Sequence, residues 1–252
     1  MITFAVTRTP AHTMGRGITT AGLGPPDYEM ALRQHEKYVR ALESIGLEVM
    51  VLPAAPEFPD AHFVEDTAVV TPEMAVIARP GAQSRRGEEE TIEPVLALRR
   101  PVVRIQPPGT LDGGDVLTAG ETCFIGISQR TNEEGARQLG EALERSGIKW
   151  QAVSVGEGLH LKSSASHLGG NTLLLNDSLV NAPQFEQFDK ITAAKTEQGA
   201  ASSLLINDNL LIAGGFPETR AKLEAKGYRP VELNISEMQK MDGGLTCLSI
   251  RL

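Results

Sequence analysis

Cysteine is nearly absent: the 252 residues contain only Cys123 and Cys247. Two thiols in a chain of this length fit reduced intracellular cysteines better than a disulfide framework. Zinc spacing is missing too, since the nearest histidine pair, His160 and His167, has no third ligand close by. No apolar run approaches the roughly 18 residues of a membrane span. The N-terminus lacks the basic, apolar and small-residue segments of a secretion signal. Positive charge is in deficit, with 24 Lys and Arg against 32 Asp and Glu and a net charge of -8. That balance argues against nucleic acid or an anionic membrane as the main partner. A soluble, cytoplasmic protein is expected. Its 41% apolar content suffices for one large domain or two small ones.

The stretch Met241–Leu252 organises what is present. Asp242-Gly243-Gly244 reads as a turn, and the residues after it read as a short apolar strand that carries Cys247. A chain end is normally frayed, so an apolar strand there must be tied into a sheet. The other terminus, Ile2–Thr7, is the natural partner. Pairing the two would close a ring.

From the N-terminus, the strand Ile2–Thr7 leads into a Gly-, Thr- and Pro-rich loop, Pro10–Pro26. Loops of this length are usually lids or binding loops. Asp27 caps a helix to about Ser44 with Tyr28, Ala31, Leu32, His35, Tyr38, Val39 and Leu42 on one face. Gly46 ends it, and Leu47–Leu52 is a strand. Strand-turn-strand patterns then recur at Asp66–Arg79, Gly114–Ile127, Gly170–Ala182 (turning at Asn176-Asp177) and Ser202–Ala213. Helices are expected at Glu88–Arg99, Asn132–Ser146 and Pro217–Lys226. Each is followed by a lone strand, at Val102–Gln106, Trp150–Val155 and Pro230–Leu233. Pro183–Ala200 reads as a weaker copy of the same unit. With the terminal hairpin this makes five units, and ends that pair favour a closed ring over an open solenoid or an ordinary mixed sheet.

The loops that enter the hairpins hold the polar residues. They are Asp60–Asp66, Gly109–Asp115 with Asp112-Gly-Gly-Asp115, Gly158–Ser163 with His160, and the turn before Cys247. Each alone reads more readily as an ordinary surface or core feature. Their equivalent positions in a ring make them converge on one axis. Cys with His there has the composition of a thiolate nucleophile and its acid/base partner. The surplus of carboxylates suits a cationic substrate.

Phe63-Val-Glu-Asp66, Leu111-Asp-Gly-Gly-Asp115-Val-Leu, His160-Leu-Lys-Ser163 and Asp242-Gly-Gly-Leu-Thr-Cys247 resemble the motifs of the dimethylarginine dimethylaminohydrolases. These belong to the guanidine-modifying (amidinotransferase, pentein) superfamily. Arg79–Arg86 and Gly126–Asn132 match the same pattern, in the same order. The resemblance runs from about Leu32 to the C-terminus and implies a single α/β domain, a five-bladed β/α propeller closed by its termini. It implies hydrolysis of Nω-methylated arginine to citrulline and dimethylamine, with no metal or cofactor and with a monomer or homodimer as the acting form.

In that resemblance Cys247 is the nucleophile, His160 the acid and base, and Asp112 its orienting partner. Asp60 and Asp66 hold the guanidinium, Arg85 and Arg130 hold the α-carboxylate, and Glu65 is a further substrate-binding residue. The lid is the Pro10–Pro26 loop, which has no motif match, and Leu23 is its expected substrate contact. Related deiminases carry an acid two residues after the histidine, where this chain has Lys162. Arginine deiminase-like or ureido-hydrolase chemistry and a non-catalytic pentein are the alternatives.

Overall fold

A computed structural model describes residues 1–156 and 158–252. Its strands form five separate three-stranded sheets of one design: an antiparallel hairpin, then a third strand parallel to the hairpin's second strand. The chain starts with β1 (Phe4–Arg8), α1 (Tyr28–Ser44) and β2 (Glu48–Leu52). Next come β3 (Ala68–Val70), β4 (Ala75–Ile77), α2 (Glu93–Ala97) and β5 (Val102–Arg104). The third sheet has β6 (Val116–Ala119), β7 (Thr122–Ile127) and, beyond α3 (Glu133–Arg145), β8 (Lys149–Ser154). The fourth has β9 (Ala165–His167), β10 (Thr172–Leu175) and β11 (Asp189–Thr192). The fifth has β12 (Leu204–Ile206), β13 (Asn209–Ala213), α4 (Pro217–Ala225) and β14 (Val231–Leu233). After α5 (Ser236–Gln239), β15 (Ile250–Arg251) returns to β1, with Ala5 opposite Arg251 and Val6 opposite Ile250. The termini pair as expected.

Local chemistry explains most of these boundaries. The Asp27 carboxylate accepts from Met30 N at 2.9 Å, satisfying one of the open donors at the start of α1. Ala31, Gln34, His35, Tyr38 and Leu42 then fall on its buried face. Asn132 caps α3 in the same way through Gly135 N, at 2.8 Å. Leu139 and Leu143 of α3 pack with Val76 and Ile125, so each would cost about 2–5 kcal/mol if cut to Ala. The helix expected at Glu88–Arg99 is instead a 3₁₀ turn, Glu88–Thr91, followed by the short α2. Pro94 lacks a donor and is tolerated only in a first turn, so the α-helix has to begin beside it.

The fourth unit departs further from expectation. Its hairpin turns at Gly169 and Gly170, both at positive φ (86° and 53°), and not at Asn176-Asp177. Two adjacent residues at positive φ are what a tight hairpin turn demands, and glycine supplies them freely. Pro183–Ala200 is therefore no separate copy. It is the rest of this unit, with a 3₁₀ turn, Pro183–Phe185, in place of a helix.

The five sheets form no continuous barrel; they stand side by side about an axis. β15 lies against β3, β6 against β9, and β9 against β12. One triplet from each unit (68–70, 116–118, 165–167, 203–205 and 249–251) lines an axial cavity of about 300 Å³. No helix among the described residues is long and apolar enough to cross a membrane.

Candidate active site

Each unit's first strand is preceded by one 3₁₀ turn: Val64–Thr67, Gly113–Asp115, Leu161–Ser163, Gln198–Ala201 and Thr246–Leu248. Cys247 thus sits in such a turn and not in the terminal strand where the apolar pattern put it. The turns pack in sequence about the axis, and Gly244 against Ser202 completes the circle. Neighbouring residues in these turns face opposite ways. Asp66, His160 and Cys247 line a small pocket on one side. Glu65, Lys162 and Thr246 line the axial cavity on the other.

In the pocket, His160 Nε2 lies 3.0 Å from Asp112 Oδ2, and Asp112 Oδ1 accepts from Gly81 N at 3.0 Å. Asp112 is fully buried. The imidazole packs flat on Gly114, where an added Cβ would come within 2.8 Å of Nδ1. Gly114 is the only residue type that leaves room for the ring there. Its N–H also donates to Asp66 Oδ1 at 2.9 Å, and Arg85 Nη1 donates to Asp66 Oδ2 at 2.5 Å. Asp115 accepts from Ser128, Thr131 and Leu161 N, tying the loop that bears Arg130 to the His160 turn.

The charges are arranged to protonate the histidine. Burial alone would lower the His160 pKa, but the carboxylates of Asp66, Asp112 and Asp115 raise it to about 9. Burial pulls Asp112 upward, yet the hydrogen bond and charge of His160 hold it below its usual range. Burial, then the charges of Glu65 and Asp66, push the Cys247 thiol up to about 12. Before substrate arrives, the site at neutral pH holds an imidazolium and a neutral thiol.

Asp66, Asp112 and His160 bring three donor atoms within 4.8 Å of one another. Arg85 and Gly114 N already occupy Asp66, and His160 occupies Asp112, so a metal ion would have to displace these partners.

The Pro10–Pro26 loop closes over the pocket. Ile18 N donates to both oxygens of Asp60, at 3.1 and 3.2 Å, and Thr20 N donates to Asp242 at 2.6 Å. What remains beneath is about 30 Å³, room for little more than a water molecule.

The expected residues are placed as follows. Leu23 is 61% exposed and does not line the pocket; the lid residue over it is Ile18, because the loop's hydrogen bonds to Asp60 and Asp242 fix that part of it. Glu65 is on the far side of the turn from Asp66, paired at 2.6 Å with both Lys162 and Arg251. Arg85 is buried, and its fork is mostly spent on Asp66, Glu88 and two backbone carbonyls. Arg130 also lines the pocket, and its buried Nη1 has no hydrogen-bond partner among the described residues. His167 is bonded to Gly170 O and faces the axial cavity, leaving His160 as the site histidine. Phe63, Leu159, Met241 and Gly243 complete the wall; nothing in the sequence marked Leu159 as facing the pocket.

Two histidines behind the site, His35 and His62, are held neutral by burial, with pKa values lowered to about 4 and about 3. The unfolded chain takes up protons just below about 6.5, whereas the folded chain does not until well below that. Their contribution to stability is therefore complete above pH 6.5 and is lost as the pH falls toward 4. Each tenfold difference in proton affinity between the folded and unfolded chain is worth about 1.4 kcal/mol, so the loss reaches several kcal/mol. Thermal melts should show Tm falling steeply between pH 6.5 and 4.5, and His35→Gln should flatten part of that slope. A level Tm across the interval would contradict the assignment.

A five-unit α/β ring whose turns converge on one axial pocket is the pentein architecture. The family model for "N,N dimethylarginine dimethylhydrolase, eukaryotic" matches residues 27–186. N(G),N(G)-dimethylarginine dimethylaminohydrolase of Pseudomonas aeruginosa is 41% identical over 253 residues, covering 100% of both chains. The Streptomyces coelicolor protein of the same name is 39% identical over 250 residues, covering 98% of this chain and 96% of its own. The solved structure of the Pseudomonas aeruginosa enzyme, a cysteine-to-serine mutant complexed with citrulline, superposes with a TM-score of 0.98 at 40% identity, covering 100% of both chains. The chain belongs to the dimethylarginine dimethylaminohydrolase family.

Proposed function

We propose that this protein hydrolyses the guanidinium group of Nω,Nω-dimethylarginine to citrulline and dimethylamine. The observation that carries the reading is a thiol sharing a closed, carboxylate-lined pocket with a histidine already paired to a buried aspartate. In this reading the bound guanidinium supplies the cation that the thiol needs, lowering its pKa and releasing its proton to water. The Cys247 thiolate attacks the guanidinium carbon. As the C–N bond breaks, His160 gives its proton to the departing dimethylamine, leaving a thiouronium on the sulfur. The neutral imidazole then takes a proton from water, the hydroxide adds to the same carbon, and the C–S bond breaks to return the thiolate while the new hydroxyl's proton passes to solvent, leaving the ureido group of citrulline. Asp112 keeps the ring aligned and stabilises its charged form. Asp60 and Asp66 hold the guanidinium by charge-assisted hydrogen bonds and set the carbon before the sulfur. The reduced state of both cysteines suits a cytoplasmic enzyme.

Arg130 is the residue we assign to the α-carboxylate, since it lines the pocket and its buried Nη1 is left without a partner among the described residues. Arg85 adds positive charge nearby but serves first to neutralise Asp66 and Glu88. The deiminase alternative calls for an acid at position 162, and Lys162 points to the axial cavity.

A coupled assay for citrulline and amines over a panel of arginine derivatives tests the reading. Dimethylarginine should turn over well and agmatine, which lacks the carboxylate, poorly. Arg130→Ala should weaken dimethylarginine binding by about 2–4 kcal/mol and change agmatine little. If agmatine matched dimethylarginine in the wild type, the carboxylate clamp would be wrong and the deiminase reading would lead.

A further inference from the structure

Arg251, on β15 four residues beyond Cys247, reaches back beneath the turn that carries the thiol. Its Nη1 donates to the carbonyl oxygen of Thr246 at 3.0 Å and to the carbonyl oxygen and Oγ of Ser249, both at 2.8 Å. One nitrogen therefore spans the residues on either side of the cysteine. Its Nη2 donates to Glu65 Oε1 at 2.6 Å, an oxygen that Lys162 Nζ also contacts at 2.6 Å. The guanidinium is thus fixed from below as well as used above. A second holder grips the same turn without charge: Tyr38 OH contacts Leu245 O at 2.9 Å and Ser249 Oγ at 2.7 Å.

We propose that Arg251 is a positioning residue for Cys247, fixing the 246–249 turn so that the sulfur faces the substrate and setting a positive charge beneath it. The proposal rests on the reading of Cys247 as nucleophile. Displacing a reacting atom by about 1 Å can cost a factor of about 100, so a clamp on both flanks of the sulfur bears directly on rate. A nearby cation also favours the thiolate. Glu65 and Asp66 act on the thiol in the opposite sense from the Val64–Thr67 turn. Tyr38 faces the turn from α1, and the groups across the pocket are Asp60, Arg85, Arg130, His160 and Asp242. Arg251 is the cation bonded to the cysteine's own turn.

The test compares Arg251→Gln, Arg251→Lys and Tyr38→Phe with wild type. The readouts are kcat and KM for dimethylarginine and the pH dependence of iodoacetamide inactivation without substrate, with Cys247→Ser as the background. Arg251→Gln should lower kcat by a factor of about 10–100 at nearly constant KM. It should also move the inactivation profile up by about one pH unit, because the lost cation favoured the thiolate. Arg251→Lys keeps the charge but has a single nitrogen, which cannot hold both Glu65 and the turn, so the profile should return while kcat stays about 3- to 10-fold low. Tyr38→Phe should leave the profile in place. Wild-type kcat and an unmoved profile in Arg251→Gln would overturn the proposal, as would an unmoved profile with a kcat loss matched by Tyr38→Phe. If Arg251→Gln does not fold, wild-type kcat in Arg251→Lys overturns it, and the partial loss at constant KM supports it. Turnover by Cys247→Ser would instead sink the nucleophile reading on which the proposal depends.

Discussion

Cys247→Ser should form no citrulline above background, a loss of at least about three orders of magnitude in kcat. The serine hydroxyl is far harder to ionise than a thiol, and no group at the site is free to act as its base. His160 lines the same pocket, and at neutral pH it is already protonated by the field of Asp66, Asp112 and Asp115. A bound guanidinium, enough to draw a thiol into its ionised form, leaves an alcohol neutral. The substitution is close to isosteric and the Thr246–Leu248 turn keeps its backbone bonds, so Tm should move little. Calorimetry beside the citrulline assay checks both halves. An active serine enzyme would rule out covalent catalysis at this residue. Cys123→Ser makes the contrast: Cys123 is buried in β7 within the apolar cluster beneath α3, remote from the pocket lining. It should keep full kcat and lose about 1–3 kcal/mol of stability for burying a hydroxyl.

His160→Gly should lower kcat by roughly two to four orders of magnitude with little change in ligand affinity. In the proposed mechanism the histidine acts twice, as acid toward the amine and as base toward water. The same proposal leaves the ground state to be held by Asp60, Asp66 and Arg130, not by the histidine. With a substrate whose leaving group departs without protonation, the first step should survive and the second should stall. A thiouronium adduct on Cys247 would then accumulate and be visible by mass spectrometry of the intact protein. Failure to trap any adduct, with kcat near wild type, would remove His160 from the mechanism. The folded state should feel the change as well. In the native protein the His160 pKa is raised to about 9, so its contribution to stability is complete below about 6.5 and disappears as the pH rises through 9. Wild-type Tm should therefore fall over that alkaline interval and the variant's should not.

The architecture was legible in the sequence because its signals are local. Asp27 and Asn132 before amphipathic runs, Gly46 after one, and turn residues between apolar triplets repeat along the chain, and repetition with pairing termini implies a ring. The same logic placed Asp60, Asp66, Asp112, His160 and Cys247 at equivalent points of successive units. It misread the fourth unit because Asn176-Asp177 is as good a turn signal as Gly169-Gly170, and only the packed hairpin distinguishes them. It also put Cys247 in a strand, since a single 3₁₀ turn has no periodicity to detect.

Sidedness and pairing belonged to the tertiary structure alone. Glu65 and Asp66 are adjacent carboxylates, yet a 3₁₀ turn sends one to the axial cavity and the other to the pocket. Arg85 and Arg130 look equivalent in the chain, but Asp66 and Glu88 consume the first and leave the second free. Arg251 matched no motif, and its bonds to Glu65, 186 residues away, exist only once the ring has closed. Short-range propensity is written residue by residue, whereas the partner that decides what a charge can do comes from a distant part of the chain, so composition and spacing determined the ring and its converging loops while folding chose which charges stayed free for substrate.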